Sequence, residues 1–211
     1  MTEVKSFTFN PFQENTYVLY DETKECVIID PGCYTIEEKK ELESFIAKEN
    51  LKPVKLLLTH GHIDHILGNN FVTGKYKLDI EMHEQDVALL KAALTYGEMW
   101  GIRCEPSPEA KTLLKEGDKI IFGNTTLEIF FTPGHSLGSI CFYNRKDNFV
   151  IGGDVLFNGS IGRTDLPGGD FDTLIRSINE KLFPLDDATK VYSGHGPHTT
   201  IGHERKSNPF L

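Results

Sequence analysis

Three histidines and an aspartate fall within six residues, at His60, His62, Asp64 and His65. Imidazole and carboxylate crowded in this way form a donor set for Zn²⁺, Fe or Mn²⁺, and no thiolate stands among them. His60 and His62, two apart, point the same way from an extended segment. Asp64 and His65 lie past a turn and face a second, adjacent point, while Gly61 lets the backbone approach closely. A lone histidine is more often a hydrogen-bonded loop residue than a ligand. Three with an aspartate in this order make a plain polar loop the poorer explanation. Further donors repeat one design: His135 in Thr132-Pro133-Gly134-His135-Ser136, Asp154 after Ile151-Gly152-Gly153, and His195 in Ser193-Gly194-His195-Gly196. Each stands beside glycine at the end of an apolar run, where a rigid strand hands the chain to a loop.

The elements that must position these donors are legible in outline. Residues 4–9, 16–20 and 26–29 are short β runs bounded by turn formers, among them Asn10-Pro11 and Asp30-Pro31-Gly32. Thr35 and Glu38 make a capping box for a first helix, with Ile36, Leu42, Phe45 and Ile46 as its apolar stripe and an end near Asn50, before Pro53. Residues 54–58 read as a buried strand feeding the histidine loop, and residues 64–71 as a short helix. A strand over 78–82 precedes a helix over 84–96 with Val87, Ala88, Leu90 and Leu94 turned inward. Residues 105–116 are loop-rich. Strands follow at 119–122, 125–131, 139–143 and 148–151, then a helix at 172–181, a strand at 190–192 and a terminal helical turn at 201–206. This alternation, without repeats or a linker-like stretch, predicts a single domain over residues 1–211: two mixed sheets face to face with helices outside.

Composition narrows the function. The chain has 211 residues, 39% hydrophobic and 25% charged, with net charge −9. That is ordinary for a soluble globular protein, and the negative balance disfavours nucleic acid, whose phosphates need clustered Lys and Arg. No apolar run approaches the ~20 residues of a membrane helix. With no basic leader visible at the start, the expected location is cytoplasmic, and Cys26, Cys33, Cys104 and Cys141 are expected to be free thiols. Cys26 and Cys141 sit in apolar strand-like runs and are expected in the core.

Taken together, His60-x-His62-x-Asp64-His65 and the later His135, Asp154 and His195 resemble the metallo-β-lactamase superfamily, over a stretch from Asp30 to His195. Within it the chain most resembles short, bacterial glyoxalase II-like hydrolases (hydroxyacylglutathione hydrolases). The segments Gly162-Arg163-Thr164-Asp165-Leu166-Pro167-Gly168-Gly169 and Gly194-His195-Gly196-Pro197 carry that likeness. The resemblance implies an αββα sandwich. It also implies two divalent metal ions, Zn being favoured and Fe or Mn possible. His60, His62 and His135 would hold one ion, Asp64, His65 and His195 the other, and Asp154 would bridge them. Two such metals acidify a shared water toward a pKa of ~7, and the implied reaction is hydrolysis of a small thioester related to S-lactoylglutathione. Asp154 and Asp64 would be the catalytic carboxylates, Asp64 orienting the nucleophile. Sixteen residues follow His195, too few for the helical extension of full-length glyoxalase II, so a weaker hold on glutathione is expected.

Other residues carry less. Arg163 is a candidate for binding a substrate carboxylate, with an ion pair to Asp165 as the alternative. Tyr143 is a candidate pocket residue, with core packing as the alternative. Trp100 and Met99 read as a lid or packing surface, and His83, His198 and His203 as cap or surface residues. The competing reaction is that of persulfide dioxygenases, which resemble this chain in fold and ligands but use a single Fe(II), here on His60, His135 and Asp154. A β-lactamase is disfavoured by the carboxylate-rich donor set. A closed structural metal site is disfavoured because seven donors around two ions leave open positions.

Overall fold

Burial along the early strands decides the architecture. In β2 (Glu14–Tyr20) and β3 (Glu25–Ile29), Leu19, Val27 and Ile29 belong to one apolar cluster and Val18, Cys26 and Ile28 to another. Successive side chains leave a strand on opposite faces, so this sheet is covered on both sides. The computed structural model describes residues 1–211 and shows what covers it.

One six-stranded sheet runs in the order β1 (Glu3–Phe9), β2, β3, β4 (Lys52–Leu57), β5 (Ile80–His83), β6 (Ala110–Leu114). Its first three strands are antiparallel and the rest parallel, so it is mixed. The second, also mixed, has the order β14 (Thr199–Thr200), β13 (Lys190–Ser193), β10 (Phe149–Gly153), β9 (Ile140–Asn144), β8 (Thr125–Phe131), β7 (Lys119–Phe122). Between the sheets Leu19, Val27, Ile29 and Leu57 share a core with Leu127, Ile129, Phe142 and Ile151. On the outer face of the first sheet, Val18, Ile28 and Leu56 pack under Leu42 and Ile46 of α1 (Ile36–Lys48) and Leu90 of α4 (Val87–Trp100). On the outer face of the second, Cys141, Val150 and Val191 pack under Leu174 of α5 (Phe171–Ser177) and Ile201 of α6 (Ile201–Ser207). The result is the expected four-layer α/β/β/α sandwich. No helix is long and apolar enough to cross a membrane.

Several details differ from the sequence reading. The capping box of α1 forms, Thr35 accepting from the Glu38 N–H and Glu38 from the Thr35 N–H, but Ile36 stays exposed. Residues 64–71 are not one helix. A single turn, α2 (Ile63–Ile66), is followed by α3 (Asn69–Tyr76), with Gly68 between them packed against Pro31 and Cys33. In α4 the inward residues are Leu90, Ala93 and Gly97, with Val87 half-buried against the same core, whereas Ala88 is exposed and Leu94 is 43% exposed. Gly97 sets that register, because a Cβ there would meet Cys104 Sγ and the Ile102 carbonyl. The helix also runs four residues past the expected end, to Trp100, and stops at Gly101, whose φ is +68°. β6 forms inside the stretch read as loop; only Leu114 of it is buried, so pairing with β5 rather than an apolar pattern creates it. A two-stranded ribbon, β11 (Leu156–Phe157) and β12 (Ser160–Ile161), follows Asp154 and had no sequence signal.

Candidate metal centre

Every expected donor stands just past a strand on one edge of the sandwich. His60 and His62 follow β4, Asp64 and His65 sit on α2, and His135, Asp154 and His195 follow β8, β10 and β13. The chain turns there on constrained residues. Asp30 (φ +49°) ends β3 in the left-handed region, which Asp tolerates. Gly194 packs so tightly that a Cβ would collide with the Asp154 carboxylate.

The side chains converge as two groups. His62 Nδ1 lies 2.8 Å from His135 Nε2, which lies 3.3 Å from His60 Nε2. His195 Nε2 lies 3.1 Å and His65 Nε2 3.6 Å from Asp64 Oδ2. Asp154 joins them: Oδ2 is 3.5 Å from both His135 Nε2 and His195 Nε2, and Oδ1 is 3.4 Å from His65 Nε2. Each trio presents one ligand atom per residue within 4.8 Å of the others.

Four imidazoles are aimed by a hydrogen bond at the ring nitrogen facing away. His135 Nδ1 donates to the Arg163 carbonyl (2.8 Å) and His195 Nδ1 to the Phe12 carbonyl (3.1 Å). His65 Nδ1 donates to Asp30 Oδ2 (3.2 Å). Thr59 gives its hydroxyl proton to Asp30, so its oxygen accepts from His60 Nδ1 at 3.0 Å. In all four Nε2 is thereby turned toward the neighbouring donors, the usual way a protein fixes the orientation of a metal-binding histidine. Asp30 also accepts from the Thr59 N–H, which ties the end of β3 to the start of the histidine loop. Asp86, buried ahead of α4, accepts from the Gly61 N–H (3.0 Å), the Ser136 hydroxyl (2.7 Å) and the Gly138 N–H (2.6 Å). It thereby clamps the loop of His60 and His62 to the turn of His135.

Electrostatics separates the two groups. Burial, reinforced by neighbouring imidazoles, drives His60 well below its ordinary value and His62 down to about 3. Both are therefore neutral, the form that ligates. Burial would also lower His65 and His195, but Asp64 and Asp154 outweigh it: His65 is held well above its ordinary value and His195 rises to about 9. Burial would raise Asp154, and the surrounding imidazoles, His65 foremost, overcome it and lower it. A metal ion can replace the protons that hold these charges together. Asp154 Oδ1 and His65 Nε2 are buried without a hydrogen-bond partner. Orphaned buried polar atoms are rare and call for an explanation, and a cation between the trios supplies one. The residues therefore fit a two-metal centre.

The remaining candidates divide. Arg163 lines the cleft, but its Nε and Nη2 each bond an Asp165 carboxylate oxygen at 2.7 Å. Tyr143 does not reach the cleft. It is buried on the outer face of β9 beside Phe130, because alternation along the strand turns it under α5 and away from the metal edge. Met99 and Trp100 do line the cleft. His83 stacks on Phe131, His198 packs near Tyr192 and His203 bonds Ser207, all away from the donors. The supporting acids Asp30 and Asp86 and the buried Glu14, whose Oε1 lies 3.8 Å from His65 Nδ1, were not singled out in the sequence. Asp30 has a signal in retrospect, a carboxylate closing an apolar strand before Pro-Gly. Asp86 has none.

Known proteins agree with this geometry. The model of the metallo-beta-lactamase superfamily matches residues 9–195. A probable metallo-hydrolase, YqgX of Bacillus subtilis, is 40% identical over 95% of this chain and 93% of its own. The hydroxyacylglutathione hydrolase GloC of Haemophilus influenzae is 38% identical over 95% and 93%. Among solved structures, the B3 metallo-beta-lactamase BLEG-1 superposes with a TM-score of 0.91 at 40% identity, covering 99% of both chains. TTHA1623, solved in a di-iron-bound form, gives 0.89 at 36%, covering 99% of this chain and 100% of that one. The Myxococcus xanthus protein ETHE1, at 24% identity and a TM-score of 0.80 over 98% of this chain and 83% of its own, shares the fold. The sandwich, the two donor trios and these relatives together show that the chain belongs to the metallo-beta-lactamase superfamily.

Proposed function

We propose that the protein hydrolyses small thioesters of the S-lactoylglutathione kind at a two-metal centre, with zinc as the working ion. The observation that carries this reading is Asp154, set between two complete donor trios on the floor of a cleft of about 430 Å³. GloC, a hydroxyacylglutathione hydrolase at 38% identity, supports the substrate class. When bound, the metals supply Lewis acidity and a water acidified toward neutrality. The chain supplies the rest. His62, His135 and His195 line the cleft, and His60 and His65 stand buried beside them as the remaining imidazole donors. Asp64 lines the cleft beside Asp154 and orients the attacking water by accepting its hydrogen bond. No cysteine lines the cleft, so no thiol competes as nucleophile. All four cysteines are unpaired, and burial pushes Cys26, Cys33 and Cys141 up to about 12, leaving them inert. Free thiols fit a reducing compartment, and a cytoplasmic location is part of the proposal.

The test loads metal-free protein separately with Zn²⁺ and Fe²⁺ and follows S-D-lactoylglutathione cleavage and O₂ uptake. Cleavage with zinc and no O₂ consumption is the expected result. O₂ uptake on glutathione persulfide with Fe²⁺, and no thioester cleavage with either metal, would replace this reading with the dioxygenase one. The likeness to BLEG-1 favours one second reading, β-lactam hydrolysis. A chromogenic cephalosporin in the same assay decides it: turnover there above thioester turnover makes the lactam the better substrate.

A further inference from the structure

Away from the metal donors the cleft is lined almost wholly by apolar surface. Phe12 from the β1–β2 turn, Tyr96, Met99 and Trp100 from the end of α4, and Phe157 and Ile161 from the ribbon after Asp154 make its walls. The Phe12 and Trp100 rings meet edge to face with centroids 6.1 Å apart, so the wall is continuous across two elements. Met99 and Trp100 are 69% and 45% exposed, apolar area left uncovered where the helix overruns toward the metal edge. Arg163 is the one Lys or Arg lining the cleft, and both its guanidinium bonds go to Asp165. Away from the metal donors the cleft therefore has no unpaired Lys or Arg for the carboxylates of a peptide-like thiol, and ample surface for an apolar group.

We infer that this wall is a binding subsite for an apolar substituent of the thioester, aromatic or branched aliphatic, and that it sets the enzyme's substrate preference. The inference rests on the thioester reading for its kinetic arm only. Removing a phenyl-sized group from water against such a wall is worth tenfold or more in affinity. The substituent can come from either side of the thioester, so the test varies each side alone.

In the kinetic arm, metal-loaded protein is given S-acetyl-, S-lactoyl- and S-phenylacetylglutathione, then the same acyl groups on N-acetylcysteamine and on benzyl mercaptan. The expected result is kcat/KM at least tenfold higher for the phenyl-bearing member of one series, with little loss on replacing glutathione by the uncharged thiol. In the binding arm, calorimetry compares S-benzylglutathione with S-methylglutathione, neither of which can be hydrolysed. The benzyl thioether should bind at least tenfold tighter, and Trp100→Ala, on the exposed rim, should shrink that ratio to threefold or less. Because Trp100 is the single tryptophan, its fluorescence should also shift on benzyl thioether binding. If no thioester is cleaved yet the benzyl preference and its loss in Trp100→Ala persist, the hydrolase reading falls and the subsite stands. Equal binding of the two thioethers, or an unchanged ratio in Trp100→Ala, overturns the subsite whatever the kinetics show.

Discussion

At the scale of single residues, Asp154 carries the most weight because its two carboxylate oxygens reach the open nitrogens of histidines in both donor trios. Asp154→Ala should lower turnover by at least ~10³-fold and reduce bound metal, read by elemental analysis. His62, confined to one trio, should leave measurable activity when replaced by Ala. Protons compete with metal for imidazole, so activity should decline below about pH 6. The metal-free protein has its own pH dependence. His195, raised to about 9, contributes stability that is fully present below its unfolded value near 6.5 and is lost as pH climbs through 9. His65 shifts in the same direction. His60 and His62 are lowered, so unfolding takes up protons on them and stability falls as pH drops below about 6.5. Melting temperatures of chelator-treated protein should therefore peak near neutrality and fall toward pH 9. Metal-loaded protein, whose donors are already deprotonated, should lack the alkaline decline.

Element by element, strand ends deliver the donors and buried carboxylates lock the loops between them. Asp86 is the clearest case, one side chain joining the loop after β4, the turn after β8 and the start of α4. Asp86→Ala strands the Gly61 and Gly138 N–H groups, at about 1–3 kcal/mol each where burial is complete, while the Ser136 hydroxyl keeps Ser139 as a partner. A loss of roughly 3 kcal/mol or more in denaturant unfolding is expected. Retention of metal on the Asp64, His65 and His195 trio with weakened binding at the His60, His62 and His135 trio should accompany it. This clamp was invisible in the sequence, where Asp86 is one acid among several before a helix. The donors were visible because their chemistry is rare and their spacing dense. Strand β6 and the overrun of α4 were not: one is created by pairing with β5, the other by Gly97 packing on Cys104, and neither leaves an apolar period to read. Tyr143 shows the same limit, since a strand residue's face depends on register that the sequence leaves open.

Across the whole molecule, two mixed sheets bring β4, β8, β10 and β13 to one edge, so donors far apart in sequence meet at one point. The layer order was readable from alternation and the order of elements. Three separate apolar clusters hold the sandwich without using any metal donor. Chelation should therefore abolish activity while far-ultraviolet circular dichroism stays essentially unchanged; loss of the folded spectrum would make the metals structural. The central claim is that two ions share Asp154, and anomalous diffraction from zinc-loaded crystals tests it most directly. Two peaks ~3.5–4 Å apart, one against His60, His62 and His135, the other against Asp64, His65 and His195, with Asp154 touching both, are the predicted result. A single peak on His60, His135 and Asp154, with nothing beside His195 at full loading, would contradict it.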